Sequence, residues 1–179
     1  MPPIETPTAA LSGRYHDVLR NAGGHITWDR GWHSNAIVGN CRRLLASFVR
    51  GDPGTAGVVG LWLGAGLASW DGTGPPPATS GQTDLVDPNP HLVGPASLQI
   101  DFLTAGTVSA TPTSRIQIQA TIDPGVPPWP DANHPSANLR EFGLVGELDG
   151  TPVLINYVTH PVIAKDPSST LERTIWLQF

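Results

Sequence analysis

The segment from Asn138 to Phe179 constrains the fold more than any other part of the chain. It contains three short apolar runs that read as strands: Leu139–Leu148, Pro152–Thr159 and Arg173–Phe179. The first two are separated by Asp149-Gly150, and Asp-Gly between apolar runs is a strong signal for a tight hairpin turn. The last run continues to the final residue, and a terminal strand must be held by neighbours because free termini fray. The segment therefore predicts strands that belong to a larger sheet.

The middle of the chain adds further strands. Ser97–Leu103 and Arg115–Ile122 alternate apolar and polar residues, with the period of two that is typical of a strand with one buried face. Gly57–Leu63 is a short apolar run that indicates a buried strand. Together with the closing segment, these runs predict a mostly antiparallel sheet or sandwich of about six strands.

One helix is predicted over Ser34–Arg50. Its apolar face would be formed by residues at i, i+4, i+7, i+8 and i+11, namely Ile37, Cys41, Leu44, Leu45 and Phe48. Ser34 or Asn35 would cap its first N–H groups, and Gly51 would end it. Arg14–Asn21 is a second, shorter helical candidate. The expected fold class is therefore α+β and β-rich, with one amphipathic N-terminal helix followed by the sheet.

The domain organisation follows from the proline and glycine distribution. Residues 1–13 are rich in Pro, Thr and Ala and are expected to form an extended arm, followed by a single β-rich structural domain over residues 14–179. Two long Pro- and Gly-rich loops are expected, one at about residues 65–95 and one at Asp123–Ala137. Long loops in compact domains are uncommon and usually functional or disordered. Pro75-Pro76-Pro77 favours an extended conformation that lies over a surface, either its own or a neighbour's.

The composition argues against several functional classes. The net charge is -5 with ten Lys and Arg residues, so the basic footprint of a nucleic-acid binder is missing. No apolar run approaches the ~18 residues of a membrane span, and the N-terminal sequence lacks a secretory signal pattern. Only 14% of the residues are charged, against about 25% in an ordinary soluble domain. A surface that is poor in charge suggests that part of it is covered by something else.

The sequence shows no pattern typical of an active site or a cofactor site. The G-x-S-x-G elbow, the P-loop and the dinucleotide fingerprint are absent, and the single cysteine, Cys41, lies on the apolar face of the predicted helix. The six histidines lack metal-ligand spacing, so neither a metal nor another cofactor is expected. If the chain were an enzyme of unrecognised type, the candidate reactive groups would be His25, Asp29 and His33. The chain is otherwise expected not to be an enzyme.

Six tryptophans are many for this length, and indoles are enriched at binding surfaces. Trp70 and Trp129 lie in the Pro-rich loops, where they would either contact another chain or anchor their own loops. Tryptophan also stacks on sugars, which leaves a glycan-binding module as an alternative. The candidate interface residues are Trp70, Trp129, Pro75, Pro76, Pro77, Trp176 and Phe179.

Several motifs, taken in order, resemble small structural proteins of tailed bacteriophages and phage-tail-like contractile injection systems. They are NAIVGNCRRLLA, the glycine-rich LWLGAGLASWDGTGPPPATSGQTDL, REFGL and the closing segment after a lysine: Asn35–Ala46, Leu61–Leu85, Arg140–Leu144 and Lys165–Phe179. The resemblance covers most of the chain after residue 30. The proteins that the chain resembles are tail, baseplate, collar or fibre-adaptor components, and they carry no catalytic residues.

The resemblance implies a non-enzymatic subunit that acts by protein–protein assembly. Its partners would be copies of itself and other structural proteins of the particle, with neither nucleic acid nor membrane, and a homo-oligomer is the usual arrangement. The subunit would be found in a virion or phage-tail-like particle that assembles in the bacterial cytoplasm. The alternative is a glycan- or receptor-binding module of a fibre or adhesin.

Overall fold

The computed structural model describes residues 10–179, and this part of the chain contains eleven strands and little helix. The strands are β1 (Ser12–Arg20), β2 (Ile26–Ile37), β3 (Ala56–Gly64), β4 (His91–Val93), β5 (Leu98–Thr104), β6 (Thr107–Ser109), β7 (Arg115–Ile122), β8 (Asn138–Leu148), β9 (Thr151–Leu154), β10 (Asn156–Ala164) and β11 (Thr170–Gln178). The helices are α1 (Gly39–Arg50), α2 (Trp70–Thr73) and a 3-10 turn at Pro95–Ser97. None of the described helices is long and apolar enough to cross a membrane.

All the strands join one antiparallel sheet. Its order is β4-β3-β8-β10-β2-β1-β11-β7-β5-β6, and β9 pairs with β8 beside this path. The two halves of the sheet are connected where Asn156 and Tyr157 of β10 pair with Ile37 and Ala36 of β2. The terminal strand β11 is internal, because β1 pairs along its full length and β7 pairs with Leu171–Gln178 on its other side. The strand that ends the sequence is therefore held within this chain itself.

The sheet bends so that its two halves face each other across the core. In a flat sheet, β8 and β11 would be roughly 19 Å apart, because three strands lie between them. The guanidinium carbon of Arg173 on β11 nevertheless lies 3.6 Å from the ring centroid of Phe142 on β8. Tyr15 of β1 also meets Phe142 edge-to-face, with ring centroids 5.2 Å apart. The apolar side chains of both halves form one buried cluster between them.

The prediction of an α+β fold with an N-terminal helix and about six strands is wrong. Within residues 10–179 the regular structure is mostly β-strand, and α1 follows two long strands rather than opening the domain. The first residues of the predicted helix belong to β2, where Ser34 and Asn35 pair with Arg14 and Gly13. The helix starts only after Val38, whose extended backbone forms the N-cap without a side-chain hydrogen bond. The predicted cap residues therefore do not cap the helix.

The short helix predicted at Arg14–Asn21 is also wrong, because these residues lie mainly in β1. Tyr15 and Asp17 alternate inward along the strand and are buried. A charged residue at an inward position breaks the apolar alternation by which a strand is recognised. The predicted arm over residues 1–13 lies mostly outside the described residues, and its last two residues begin β1.

The later elements match the sequence pattern more closely. The predicted strand Arg115–Ile122 is confirmed at both ends as β7. The strands predicted at Gly57–Leu63, Ser97–Leu103, Leu139–Leu148 and Arg173–Phe179 are confirmed as β3, β5, β8 and β11, with ends that differ by at most three residues. Asp149 and Gly150 both have positive φ, of 52° and 71°, as expected for the tight turn of a two-residue hairpin. Helix α1 ends as predicted at Gly51, which adopts the left-handed conformation. The run Pro152–Thr159 is divided between β9 and β10 at Ile155.

A buried ion pair joins β1 to β11 inside the core. The Arg173 Nε and Nη2 atoms donate to the two carboxylate oxygens of Asp17 at 2.6 and 2.8 Å, and both side chains are fully buried. Charges removed from water are costly unless they are paired and hydrogen-bonded. The face of the Phe142 ring against the guanidinium supplies a further favourable contact. This geometry holds β1 and β11 in register and directs Arg173 at the opposite half of the sheet.

His160 of β10 completes this cluster in its neutral form. Its Nδ1 lies 2.8 Å from the carbonyl oxygen of Pro161, and its Nε2 lies 3.3 Å from Arg173 Nη2. Arg173 can only donate, so Nε2 must accept and the ring proton must reside on Nδ1. Burial, reinforced by the Arg173 charge, lowers the pKa of His160 to about 3. The histidine therefore stays uncharged in the folded protein at neutral pH.

Removing one partner of the buried ion pair should destabilise the protein strongly. Asp17→Asn leaves the Arg173 charge buried without its counterion, which should cost about 3–5 kcal/mol of unfolding free energy. The double variant Asp17→Leu with Arg173→Met removes both charges and should lose less than the single variant. Chemical denaturation measures all three proteins. Asp52→Asn, which breaks the exposed pair with Arg50, is the control and should change little. Equal losses in the single and double variants would contradict this account.

The unfolding free energy should fall as the pH is lowered from 7 to 5. In this window the unfolded state binds a proton at His160, whose ordinary pKa is 6.5, whereas the folded state does not until about pH 3. His160 should therefore contribute a loss of roughly 2 kcal/mol between these pH values. Denaturation curves of the wild type and His160→Gln test this, since the variant should show a shallower pH dependence. His25→Gln removes an exposed histidine from the turn between β1 and β2 and is the control, and an equal effect of both variants would refute the assignment to His160.

Candidate functional site

The long loop after β3 is fixed to the sheet by Arg140 of β8. Arg140 Nε and Nη2 each donate to a carboxylate oxygen of Asp71 at 2.7 Å, and Nη1 donates to the Ala65 carbonyl at 2.9 Å. The hydrogen bond from Arg140 holds the pKa of Asp71 below its usual range. Gly66 has a φ of 56°, and a Cβ there would lie 2.5 Å from the Trp70 ring. The loop turns sharply at Gly66 so that Trp70 packs against it.

A second anchor of this loop is the fully buried carboxylate of Glu141. It accepts hydrogen bonds from the backbone N–H groups of Val86 at 3.0 Å and Asp87 at 2.7 Å. It also accepts from the Tyr157 hydroxyl at 2.6 Å. Burial and this bond to Glu141 raise the pKa of Tyr157 above its ordinary value. Three donors thus compensate a buried acid, as buried charges require.

His134 connects the two Pro-rich loops. Its Nε2 lies 3.0 Å from Asp87 Oδ2, and its Nδ1 lies 2.8 Å from Asp131 Oδ1. The Trp129 ring stacks on the imidazole, with centroids 3.8 Å apart and planes inclined by 20°. Asp87 is further occupied by the N–H groups of Ala65 and Asn89. The arrangement is a structural cluster in which both ring nitrogens of His134 and both carboxylate oxygens of Asp87 have partners.

These contacts place the loop tryptophans inside the molecule. Trp70 is 7% exposed and Trp129 is 6% exposed, so both indoles anchor their own loops. In the proline run, the Pro76 carbonyl accepts a hydrogen bond from the Thr159 hydroxyl at 2.7 Å, while the Pro76 and Pro77 rings are exposed. Pro75 is half-buried. The segment lies over the surface of its own β10.

The remaining predicted interface residues lie on β11 and at the end of the chain. Phe179 packs against the core, and its N–H donates to the Ser114 carbonyl at 2.8 Å. Trp176 is partly exposed on the outer face, defined here as the surface of β2, β1, β11, β7 and β5 that is turned away from the core. In register, Trp176 lies between Arg14 of β1 and Gln117 of β7. Its indole Nε1 donates to Gln117 Oε1 at 2.9 Å.

Trp32, Arg14 and Trp176 form an aromatic cluster on the β2, β1 and β11 part of the outer face. The indole rings of Trp32 and Trp176 lie 4.7 Å apart, and the Arg14 guanidinium carbon is 4.7 Å from the first and 4.2 Å from the second. His16 packs beside Trp32 and contacts Asp29 at 2.6 Å. Trp32 remains 40% exposed. The cluster is therefore an ordered aromatic surface that is open to solvent.

A polar groove with a volume of about 520 Å³ adjoins this cluster across β11, β7 and β5. Among its lining side chains are amides, hydroxyls and one carboxylate that point away from the core: Gln99, Gln119, Thr121, Thr174 and Glu172. Within residues 10–179, the side chains of Gln119, Thr121 and Thr174 make no hydrogen bond to protein groups. The groove thus offers donors and acceptors that a ligand can use.

The histidines proposed as reactive groups are not brought together. Asp29 binds His16, whereas His33 packs beside Tyr15 and contacts the Arg30 carbonyl at 3.0 Å. His25 is exposed in the turn between β1 and β2. Over the described part of the chain, no group of three His, Cys, Asp or Glu side chains is arranged to hold a metal ion. Cys41 is buried, and burial raises the pKa of its thiol.

The outer face was missed from sequence because β1 and β2 were missed. Trp32 and His16 are neighbours only across the β1–β2 register, and Arg14 meets Trp176 only across the β1–β11 register. The signal that was available is the alternation of large polar or aromatic residues in ITWDRGWHSN, which has the period of a strand. Long-range pairing then determines which of these residues become neighbours.

Comparison of the chain with protein-family models, curated proteins and solved structures gave no match. The resemblance to phage-tail proteins therefore depends on the sequence motifs alone.

Breaking the Arg140 anchor should loosen the first loop without unfolding the sheet. In Arg140→Gln, amide hydrogen exchange should accelerate in the α2 segment Trp70–Thr73, because its tether to β8 is lost. Amides of β7, which lies in the other half of the sheet, should keep their protection. Arg43→Gln changes an exposed arginine of α1 and is the matched control, in which neither segment should change. Unchanged protection of α2 in Arg140→Gln would show that Trp70 packing alone holds the loop.

Proposed function

We propose that the chain is a non-enzymatic structural subunit of a phage or phage-tail-like particle and acts by assembling with copies of itself and with other particle proteins. The motifs shared with such proteins and the low charge content support this proposal. The observation that carries it is an apolar stretch of β5 that the domain itself leaves uncovered.

This stretch, called here the β5 overhang, consists of Ile100 and Phe102. They share the core-side face with Ile118 and Ile116, their register partners on β7. Ile118 is fully buried, yet Ile100 is 44% exposed and Phe102 is 37% exposed. The apolar face of the sheet thus extends past the area that the opposite half covers. An uncovered apolar surface of this kind is typical of a protein–protein contact.

The strands at the two ends of the sheet order favour contact through side chains. These strands, β4 and β6, are only three residues long, and short edge strands discourage strand addition by another chain. Leu92 is exposed on β4 and Val108 on β6. Each copy therefore presents apolar side chains at both ends of the sheet, as a head-to-tail ring or stack would require.

Charges placed in the β5 overhang should prevent self-association. We expect the purified wild-type protein to form oligomers and the double variant Ile100→Asp/Phe102→Asp to be monomeric, because a carboxylate cannot be buried unpaired at low cost. Sedimentation velocity at several concentrations measures the change. Val49→Asp is the control, because Val49 is 92% exposed on α1, which packs on β3, β8 and β9. A wild type that stays monomeric at all concentrations would overturn the proposal.

A further inference from the structure

We propose that the outer face binds an uncharged saccharide, with the aromatic cluster as the stacking surface and the adjoining groove as the hydrogen-bonding site. This inference concerns the face opposite to the β5 overhang. It is independent of the assembly proposal.

The aromatic component is preorganised. Gln117 fixes the Trp176 ring through its Nε1–H, and Arg14 contacts both indoles. Trp32 is held by Arg14 and His16 and still keeps 40% of its surface free. An indole can pack its apolar face against the C–H groups of a sugar ring while losing little conformational freedom. A side chain that is already ordered reduces the entropic cost of binding.

The polar component matches the hydroxyl groups of a sugar. Gln119 and Thr174 are register partners across β7 and β11, and Gln99 is the partner of Gln119 on β5. This row crosses three strands and continues through His16 of β1 to Trp32 of β2. Amides and hydroxyls both donate and accept, as sugar hydroxyls do. The row therefore places hydrogen-bonding groups in line with the stacking surface.

The charges around the groove indicate which saccharides fit. Glu172, Asp123 and Asp101 lie in or beside it, and the whole chain carries a net charge of -5. Arg20 donates to Glu172 at 3.0 Å and is thereby partly neutralised. Arg173, which also lines the groove, is paired with Asp17, and Arg14 is engaged with the indoles. Sialylated or sulfated sugars and nucleic acids would meet net repulsion, whereas neutral sugars would not.

The test uses the full chain and an array of neutral gluco-, galacto-, manno- and N-acetylglucosamine oligosaccharides, with sialylated and sulfated oligosaccharides on the same array. Titration calorimetry then measures the affinity for the best neutral ligand. We expect binding to neutral oligosaccharides only. Trp32→Ala should weaken the affinity about tenfold, the size of one aromatic contact. Trp32→Phe should lose less, and Gln119→Ala should weaken binding severalfold.

Gln82→Ala removes an amide from the first Pro-rich loop and is the matched control, which should bind as the wild type does. Thermal unfolding of every variant checks that the fold is retained. The Ile100→Asp/Phe102→Asp variant should bind the sugar as a monomer, which separates this inference from the assembly proposal. Failure of the wild type to bind any neutral oligosaccharide at millimolar concentration would overturn the saccharide proposal. Preference for acidic sugars, or affinity unchanged in both Trp32→Ala and Gln119→Ala, would do the same.

Discussion

The buried pair of Asp17 and Arg173 determines how the two halves of the sheet meet. It connects β1 to β11 by two charge-assisted hydrogen bonds, and the same guanidinium contacts Phe142 of β8 and His160 of β10 in the opposite half. An apolar core could be packed in several registers, whereas a buried charge is tolerated only where its partners are correctly placed. The cluster therefore favours one register of β1 against β11 and one approach of the two halves.

The long loops follow the same principle with different partners. Arg140, Glu141 and His134 each supply a buried polar group that backbone or side-chain groups of a loop must satisfy. Because Arg140 and Glu141 are consecutive on β8, a single strand anchors both the start and the end of the first loop. The loops that look mobile in sequence are thus integral parts of the domain, and Trp70 and Trp129 fill the space beneath them.

The sequence predicted strands well where apolar alternation was regular and poorly where charges point inward. Ile116, Ile118, Ala120 and Ile122 alternate with polar residues, and β7 was identified at both ends. In β1 the inward residues include Asp17, which is acceptable only because Arg173 lies opposite, 156 residues away in sequence. Local pattern carries no information about such a pairing. The candidate site shares this limitation, since Trp32, Arg14 and Trp176 come from three strands and two of these strands were not recognised.

The two opposite faces of β5 and its neighbours connect assembly to recognition. On the core side of β5, Ile100 and Phe102 are not covered by the opposite half of the sheet. On the other face of the same strand, Gln99 lines the polar groove. Successive residues of a strand point to opposite sides, so a contact at the β5 overhang leaves the outer face open. A subunit held in this way would present one copy of the groove per protomer. Weak binding at each groove would then be reinforced by the number of copies in the particle, which suits a site whose individual contacts are few and uncharged.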